Sequence, residues 1–152
     1  MFDPQMMLLS KFLEGVAAEV GSPETSSAAW ERAEQTIVAA RDGEPELAAV
    51  VDARDAAGLR AMVAAWNDGR RPLPVQDREV LKRAMTAFRK SLKVTRLHDE
   101  SSLTRNAMTG GRRSGILGIT PPARYPPEVW RELARQKRLI DGKHGIYELP
   151  PE

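Results

Sequence analysis

The sequence predicts a mainly helical α+β protein, with a helical bundle in its first part and a small antiparallel sheet at its end. Three observations predict this class. Apolar residues recur at helical spacing as far as Lys93, a stretch with two prolines interrupts the helices, and the final residues alternate as in a β-hairpin. With 152 residues, the chain suits one domain or two small ones.

Local signals at both ends of the helices divide the first part into four. Asp3 and Pro4 are typical of a helix start, and Gly21 of a helix end. Asp55 is a second capping candidate, and Asn67-Asp68-Gly69 ends the helix that follows it. The predicted helices span residues 3–20, 22–41, 45–52 and 55–67.

The division between the two parts is predicted at residues 70–75, where Pro72 and Pro74 exclude a helix. The charge changes sign close to this stretch. Residues 1–60 hold 5 Lys/Arg and 11 Asp/Glu, a net charge of −6, whereas residues 61–152 hold 18 and 10, a net charge of +8. We therefore expect an acidic helical region at 1–69, a linker at 70–75 and a basic region at 76–152.

The basic region is predicted to combine helices with short strands. A strongly periodic helix comes first, and two Pro-Pro pairs hold a later connection extended before another helix. The turn 141–145 joins the last two apolar segments as a hairpin. The predicted elements are helices at 76–93, 101–108 and 128–138, a glycine-rich loop at 110–115, a strand at 116–119 and a hairpin at 139–149.

The order of helix 128–138, Leu139-Ile140, a basic Gly-containing turn and the strand 146–149 resembles the end of a winged helix-turn-helix domain, over residues 76–152. The resemblance implies that helix 128–138 enters a groove of DNA and that the turn is the wing. It departs from the family in one respect, because about 18 residues precede this helix where a helix-turn-helix has a turn of 3 or 4. The residues that the resemblance places on nucleic acid are Arg131, Arg135, Lys137, Arg138, Lys143 and His144.

Further phosphate contacts are expected on the outer face of helix 76–93, at Lys82, Arg89 and Lys93, and in the glycine-rich loop, at Arg112 and Arg113. The loop lacks the Gly-Lys-Ser/Thr ending of an ATP-binding P-loop. The alternative is that these charges are only solvated, as surface charges commonly are.

The residue content argues against an enzyme. There are no cysteines, which excludes thiol catalysis and a disulfide framework and fits a cytoplasmic protein. His98-Asp99-Glu100 is the single local cluster of an imidazole with carboxylates, and we expect Asp99 or Ser101 to cap a helix instead. Trp30, Trp66 and Trp130 lie on apolar stripes and are predicted to be buried. We expect no catalytic residues, no cofactor and no metal site.

A membrane role is also not expected, because no stretch approaches the roughly 20 apolar residues that span a bilayer. Asp3 stands where a signal peptide would have a basic region.

The preferred function is therefore nucleic-acid binding, of double-stranded DNA, in the manner of a transcriptional regulator. The alternative is a non-enzymatic interaction or assembly protein, in which an apolar first helix docks on a protein partner or a second copy of the chain. That docking surface would use Phe2, Met6, Leu9 and Phe12, unless a neighbouring helix of the same chain covers them.

Overall fold

The computed structural model describes residues 2–106 and 118–151, with side chains for 2–100 and 118–151. Its elements confirm the mainly helical α+β class. The chain divides into two compact units, Met1–Val80 and Leu81–Glu152, and residues 70–75 lie in the first. The helices are α1 Leu9–Glu19, α2 Ser26–Thr36, α3 Pro45–Asp52, α4 Ala56–Asn67, α5 Val75–Asn106 and α6 Pro127–Arg135, with a 3-10 turn at Val38–Ala40; the strands are β1 Gly118–Ile119, β2 Ile140–Asp141 and β3 Tyr147–Glu148.

Helix α1 starts six residues later than its local signals predict, at Leu9 and not at Asp3. The reason is a distant carboxylate. Asp77, which is fully buried, accepts hydrogen bonds from the backbone N–H of Leu9 at 2.6 Å and of Ser10 at 2.9 Å. These are two of the N–H groups that a helix start leaves without a partner. Asp3 instead closes a separate turn, accepting from Gln5 N–H at 2.9 Å.

The core of the first unit lies between four helices, since α1 and α3 each contact both α2 and α4. Asp55 caps α4 as predicted, accepting from Gly58 N–H at 3.0 Å. The predicted apolar stripes are buried, and so are the predicted tryptophans, Trp30 and Trp66 in this unit and Trp130 in the second. The fully buried side chains of the first unit include Leu9, Leu13, Ile37, Leu47, Leu59 and Trp66.

Helix α5 joins two predicted helices into one, running without interruption to Asn106. His98, Asp99 and Glu100 are consecutive positions inside it, so neither Asp99 nor Ser101 caps a separate helix. Three predicted segments lie wholly or partly outside the described residues: the end of the predicted helix 101–108, the glycine-rich loop 110–115 and the first half of the predicted strand 116–119.

Helix α6 ends three residues before its predicted end, because the backbone turns back on itself at Lys137. Lys137 has a φ of 62°, its N–H donates to Ala134 C=O, and Arg138 N–H donates to Leu133 C=O. This pair of bonds is a Schellman motif, which usually has glycine at the left-handed position. The helix buries Val129, Trp130 and Leu133, as its spacing predicts.

The three strands form one antiparallel sheet in the order β1-β3-β2, so the predicted strand pairs with the predicted terminal hairpin. Gly118 lies opposite Glu148 and Ile119 opposite Tyr147. The approach at Gly118 is very close, because a Cβ there would lie 2.8 Å from Tyr147 O and 2.7 Å from Glu148 Cγ.

Replacing Gly118 with alanine is therefore expected to weaken β1–β3 pairing and to lower the free energy of unfolding by about 1–2 kcal/mol, since a backbone atom cannot move aside cheaply. Faster hydrogen exchange in β3 would report this weakening. Gly43→Ala is the matched control, because the nearest atom to its new Cβ, Ala40 O, is 4.0 Å away. Equal behaviour of the two variants would contradict the packing explanation.

Within the described part of the chain, no helix combines the length and the apolar character that crossing a membrane requires.

Candidate functional site

A cleft of about 530 Å³ opens in the second unit beside the amino-terminal half of α6. One wall is the connection from β1 to α6, with Pro121, Pro122 and Ala123, and the other is the hairpin turn 141–145. The cleft exists because antiparallel pairing of β1 with β3 brings these two loops to the same end of the sheet. Its volume falls within the range of about 300–1,000 Å³ that is typical of small-ligand sites.

The floor of the cleft consists of aromatic side chains that are mostly buried, Tyr125, Trp130 and Tyr147. Tyr125 and Trp130 pack edge to face, with ring centroids 5.7 Å apart and an angle of 83°. Trp130 also contacts Phe88 of α5, at a centroid distance of 6.0 Å. Because each of the three rings is at most 8% exposed, a ligand would contact only a small part of each ring and would contact the proline wall as well.

The rim of the cleft is cationic. Arg131 of α6 and Lys143 and His144 of the hairpin turn line it, and all three are exposed. One carboxylate faces them, that of Asp141, whose Oδ1 accepts from Lys143 N–H at 2.9 Å. Burial raises the pKa of the Tyr147 hydroxyl, and the negative charge of Asp141 raises it further, while Arg131 lowers it. With two permanent cations, a histidine and one carboxylate, the rim favours an anion.

The hairpin turn holds its basic residues in an unusual backbone conformation. Lys143, His144 and Gly145 have φ values of 71°, 56° and 77° in succession. Left-handed conformations at residues other than glycine are energetically costly, and such positions cluster at binding sites. The cost is offset here by the bonds that close the turn, from Gly142 N–H to Ile146 C=O and from Ile146 N–H to Lys143 C=O.

Arg135, which is predicted from the sequence to contact nucleic acid, is instead hydrogen-bonded to a buried carboxylate. Its Nε donates to Glu132 Oε2 at 2.7 Å, and Gln136 Nε2 donates to Glu132 Oε1 at 3.2 Å. Glu132 is only 3% exposed, so its carboxylate lies in the interior and does not reduce the positive charge on the outer face of α6. The bond to Glu132 raises the pKa of the Arg135 guanidinium above its ordinary value.

The other predicted nucleic-acid contacts lie elsewhere in the second unit. Lys82, Arg89 and Lys93 are exposed on α5, where their spacing of seven and four residues puts them in one row. Lys137 and Arg138 are exposed just after α6. Arg112 and Arg113 lie outside the described residues.

The predicted docking residues at the start of the chain are only partly available. Phe2 and Phe12 pack together, with ring centroids 5.2 Å apart, and both line an apolar groove of about 570 Å³ with Val38. Met6 is half-buried. Leu9 is completely buried in the first unit and cannot contact a partner, because the helices of its own chain cover it.

Sequence reasoning missed the proline wall and Asp141. The pairs Pro121-Pro122 and Pro126-Pro127 were a signal, but they indicate only an extended connection and not what it faces. Tyr125, between the pairs, is buried, with the Arg124 guanidinium 5.1 Å from its ring centroid.

Among the side chains of residues 2–100 and 118–151, no three His, Asp or Glu residues come together as metal ligands. Comparisons with protein-family models, with curated proteins and with solved structures found no match to this chain.

Proposed function

We propose that the protein binds nucleic acid, with double-stranded DNA as the first ligand to test, through phosphate contacts made by α6 and the hairpin turn 141–145. Regulation of transcription is the role that the resemblance to winged helix-turn-helix domains implies for such binding. The observation that carries the proposal is the meeting of Arg131, Lys143 and His144 at one cleft.

The state of these three side chains supports the proposal. All three residues are exposed, so their side-chain donors are accessible to a phosphate. Phosphate contacts of this kind supply most of the affinity of sequence-independent DNA binding. The row of Lys82, Arg89 and Lys93 on α5 adds positive charge to the same unit.

The element order also supports it, since a helix, a strand, a helix and a hairpin follow one another as the resemblance implies. There is one difference. In the described range 118–151, α6 is the single helix between β1 and β2, so the proposal assigns the contacts to α6 and the turn and not to a pair of helices.

Replacing both Arg131 and Lys143 with glutamine is expected to weaken binding to a random duplex of about 25 base pairs and to reduce its salt dependence. The log–log slope should fall by about 0.9 for each phosphate that the protein no longer neutralises. Fluorescence anisotropy of the full chain across a series of salt concentrations measures both quantities. Arg135 is left unchanged, because Glu132 needs it in the folded state.

The matched control is Arg54→Gln/Arg60→Gln, which also removes two positive charges, both from exposed arginines of the first unit. It should keep the wild-type affinity and slope. No binding by the wild-type chain at low salt would overturn the proposal and favour the protein-interaction alternative. An equal weakening in the control would show that net charge, and not the cleft, determines binding.

A further inference from the structure

The shape of the cleft is more specific than a flat basic surface requires. One wall is apolar, with Pro121, Pro122 and Ala123, and mostly buried aromatic rings form the floor. The cations stand only at the rim. A phosphate backbone lying across the rim would leave the apolar interior empty, whereas a nucleotide whose base points inward would fill it.

We propose that the cleft holds one unpaired nucleotide, with its phosphate at Arg131, Lys143 and His144. The base enters between the Pro121-Pro122 wall and the hairpin turn. This inference rests on the proposed function, and it names the part of the nucleic acid that the site takes: a nucleoside monophosphate unit at a strand end or in a single strand.

The cationic rim and the apolar interior of the cleft together distinguish this ligand from a simple anion. Inorganic phosphate would use only the rim, and an uncharged aromatic compound only the walls. Bases present a flat apolar face that packs on apolar and aromatic side chains, and base contacts of this kind are sequence-tolerant. Because the cleft accepts one base, it differs from a groove that tracks many nucleotides.

An unpaired nucleotide is required because a base inside a duplex is stacked and paired. Moving such a base into a pocket requires it to be unpaired and unstacked first, and the cost in free energy is least where the base is already single-stranded. A duplex with a single-stranded overhang offers such a nucleotide together with the phosphates of the duplex.

The test compares two labelled duplexes of about 25 base pairs, one blunt and one with an overhang of about five nucleotides, using the full chain and anisotropy. The wild-type chain is expected to bind the overhang duplex about fivefold more tightly, the low end of the range for one base on an aromatic side chain, because little of each ring is exposed. Ala123→Trp should abolish this preference, because the indole fills the cleft without changing any charge.

Ala61→Trp is the matched control, since Ala61 is also exposed but lies on α4 in the first unit. Thr120→Trp is a second blocking variant on the cleft wall, to be used if circular dichroism shows that Ala123→Trp does not fold. Retention of the overhang preference in a folded blocking variant would overturn the inference, because the extra contact would then lie outside the cleft.

The outcomes separate this inference from the proposed function. Equal affinity of the wild-type chain for the two duplexes would overturn the inference and leave duplex binding in place. Binding to the overhang duplex alone would support the inference and overturn duplex binding. Binding of free thymidine monophosphate, blocked by Ala123→Trp, without binding to either duplex would overturn both and assign the cleft to free nucleotides.

Discussion

Replacing Asp77 with alanine is expected to lower the free energy of unfolding of the first unit by about 2–4 kcal/mol. The carboxylate is fully buried and accepts two backbone hydrogen bonds from the start of α1, so the variant leaves two buried N–H groups without an acceptor. Each unsatisfied buried donor costs about 1–3 kcal/mol, and the variant also removes the favourable interaction of a negative charge with the helix start.

Urea denaturation followed by tryptophan fluorescence measures this destabilisation, because Trp30 and Trp66 are buried in the same unit. The matched variant is Asp55→Ala, which removes an exposed cap of α4 and should cost about 1 kcal/mol. Asp77→Asn should fall between the two, since the amide retains one acceptor oxygen. If Asp77→Ala were no more destabilising than Asp55→Ala, the buried carboxylate would not be what fixes the start of α1.

The same residue shows how far the sequence predicts the fold. Apolar periodicity predicted a helix at each of the four positions in the first part, though not its bounds, because each helix buries an apolar stripe against its neighbours. Asp55 caps α4 as predicted because its carboxylate bonds to an N–H only three residues away. The predicted start of α1 was wrong because the carboxylate that accepts from Leu9 N–H, that of Asp77, lies 68 residues further along the chain. Capping rules consider only neighbouring residues, so a carboxylate from another helix escapes them.

In the second unit, α6 is likewise predicted correctly on its buried face and incorrectly at one end. The spacing correctly predicted its buried face, but not its end, because the left-handed residue at the Schellman motif is Lys137 and not the usual glycine. A charged residue on an amphipathic helix is ordinarily expected at the surface. Glu132 is buried nonetheless, which only the tertiary structure reveals.

The sequence predicts the cations of the candidate site, but neither its carboxylate, Asp141, nor its shape. Arg131, Lys143 and His144 were chosen because a helix and a hairpin turn carried them, and these two elements are adjacent in the structure. The cleft itself forms from a loop and a turn that meet through the sheet. Uncharged residues of the cleft, such as Pro121 and Ala123, are therefore identified only from the tertiary structure.

Replacing Arg135 with alanine is expected to destabilise the second unit by about 2–3 kcal/mol, whereas Arg131→Ala on the same helix should cost less than about 0.5 kcal/mol. Removing one partner of a buried ion pair costs about 3–5 kcal/mol. We expect less here because the Arg135 side chain is 40% exposed and water screens part of the interaction. Glu132 would keep its bond from Gln136 but lose the opposing charge.

Thermal unfolding followed by circular dichroism compares these variants, and a third variant separates charge from packing. In Glu132→Leu/Arg135→Ala the buried carboxylate is absent, so the arginine is no longer needed and the double variant should be more stable than Arg135→Ala alone. The single variant Glu132→Leu completes the cycle, and if the effects of the two substitutions were then additive, Arg135 would contribute through its aliphatic packing and not through Glu132.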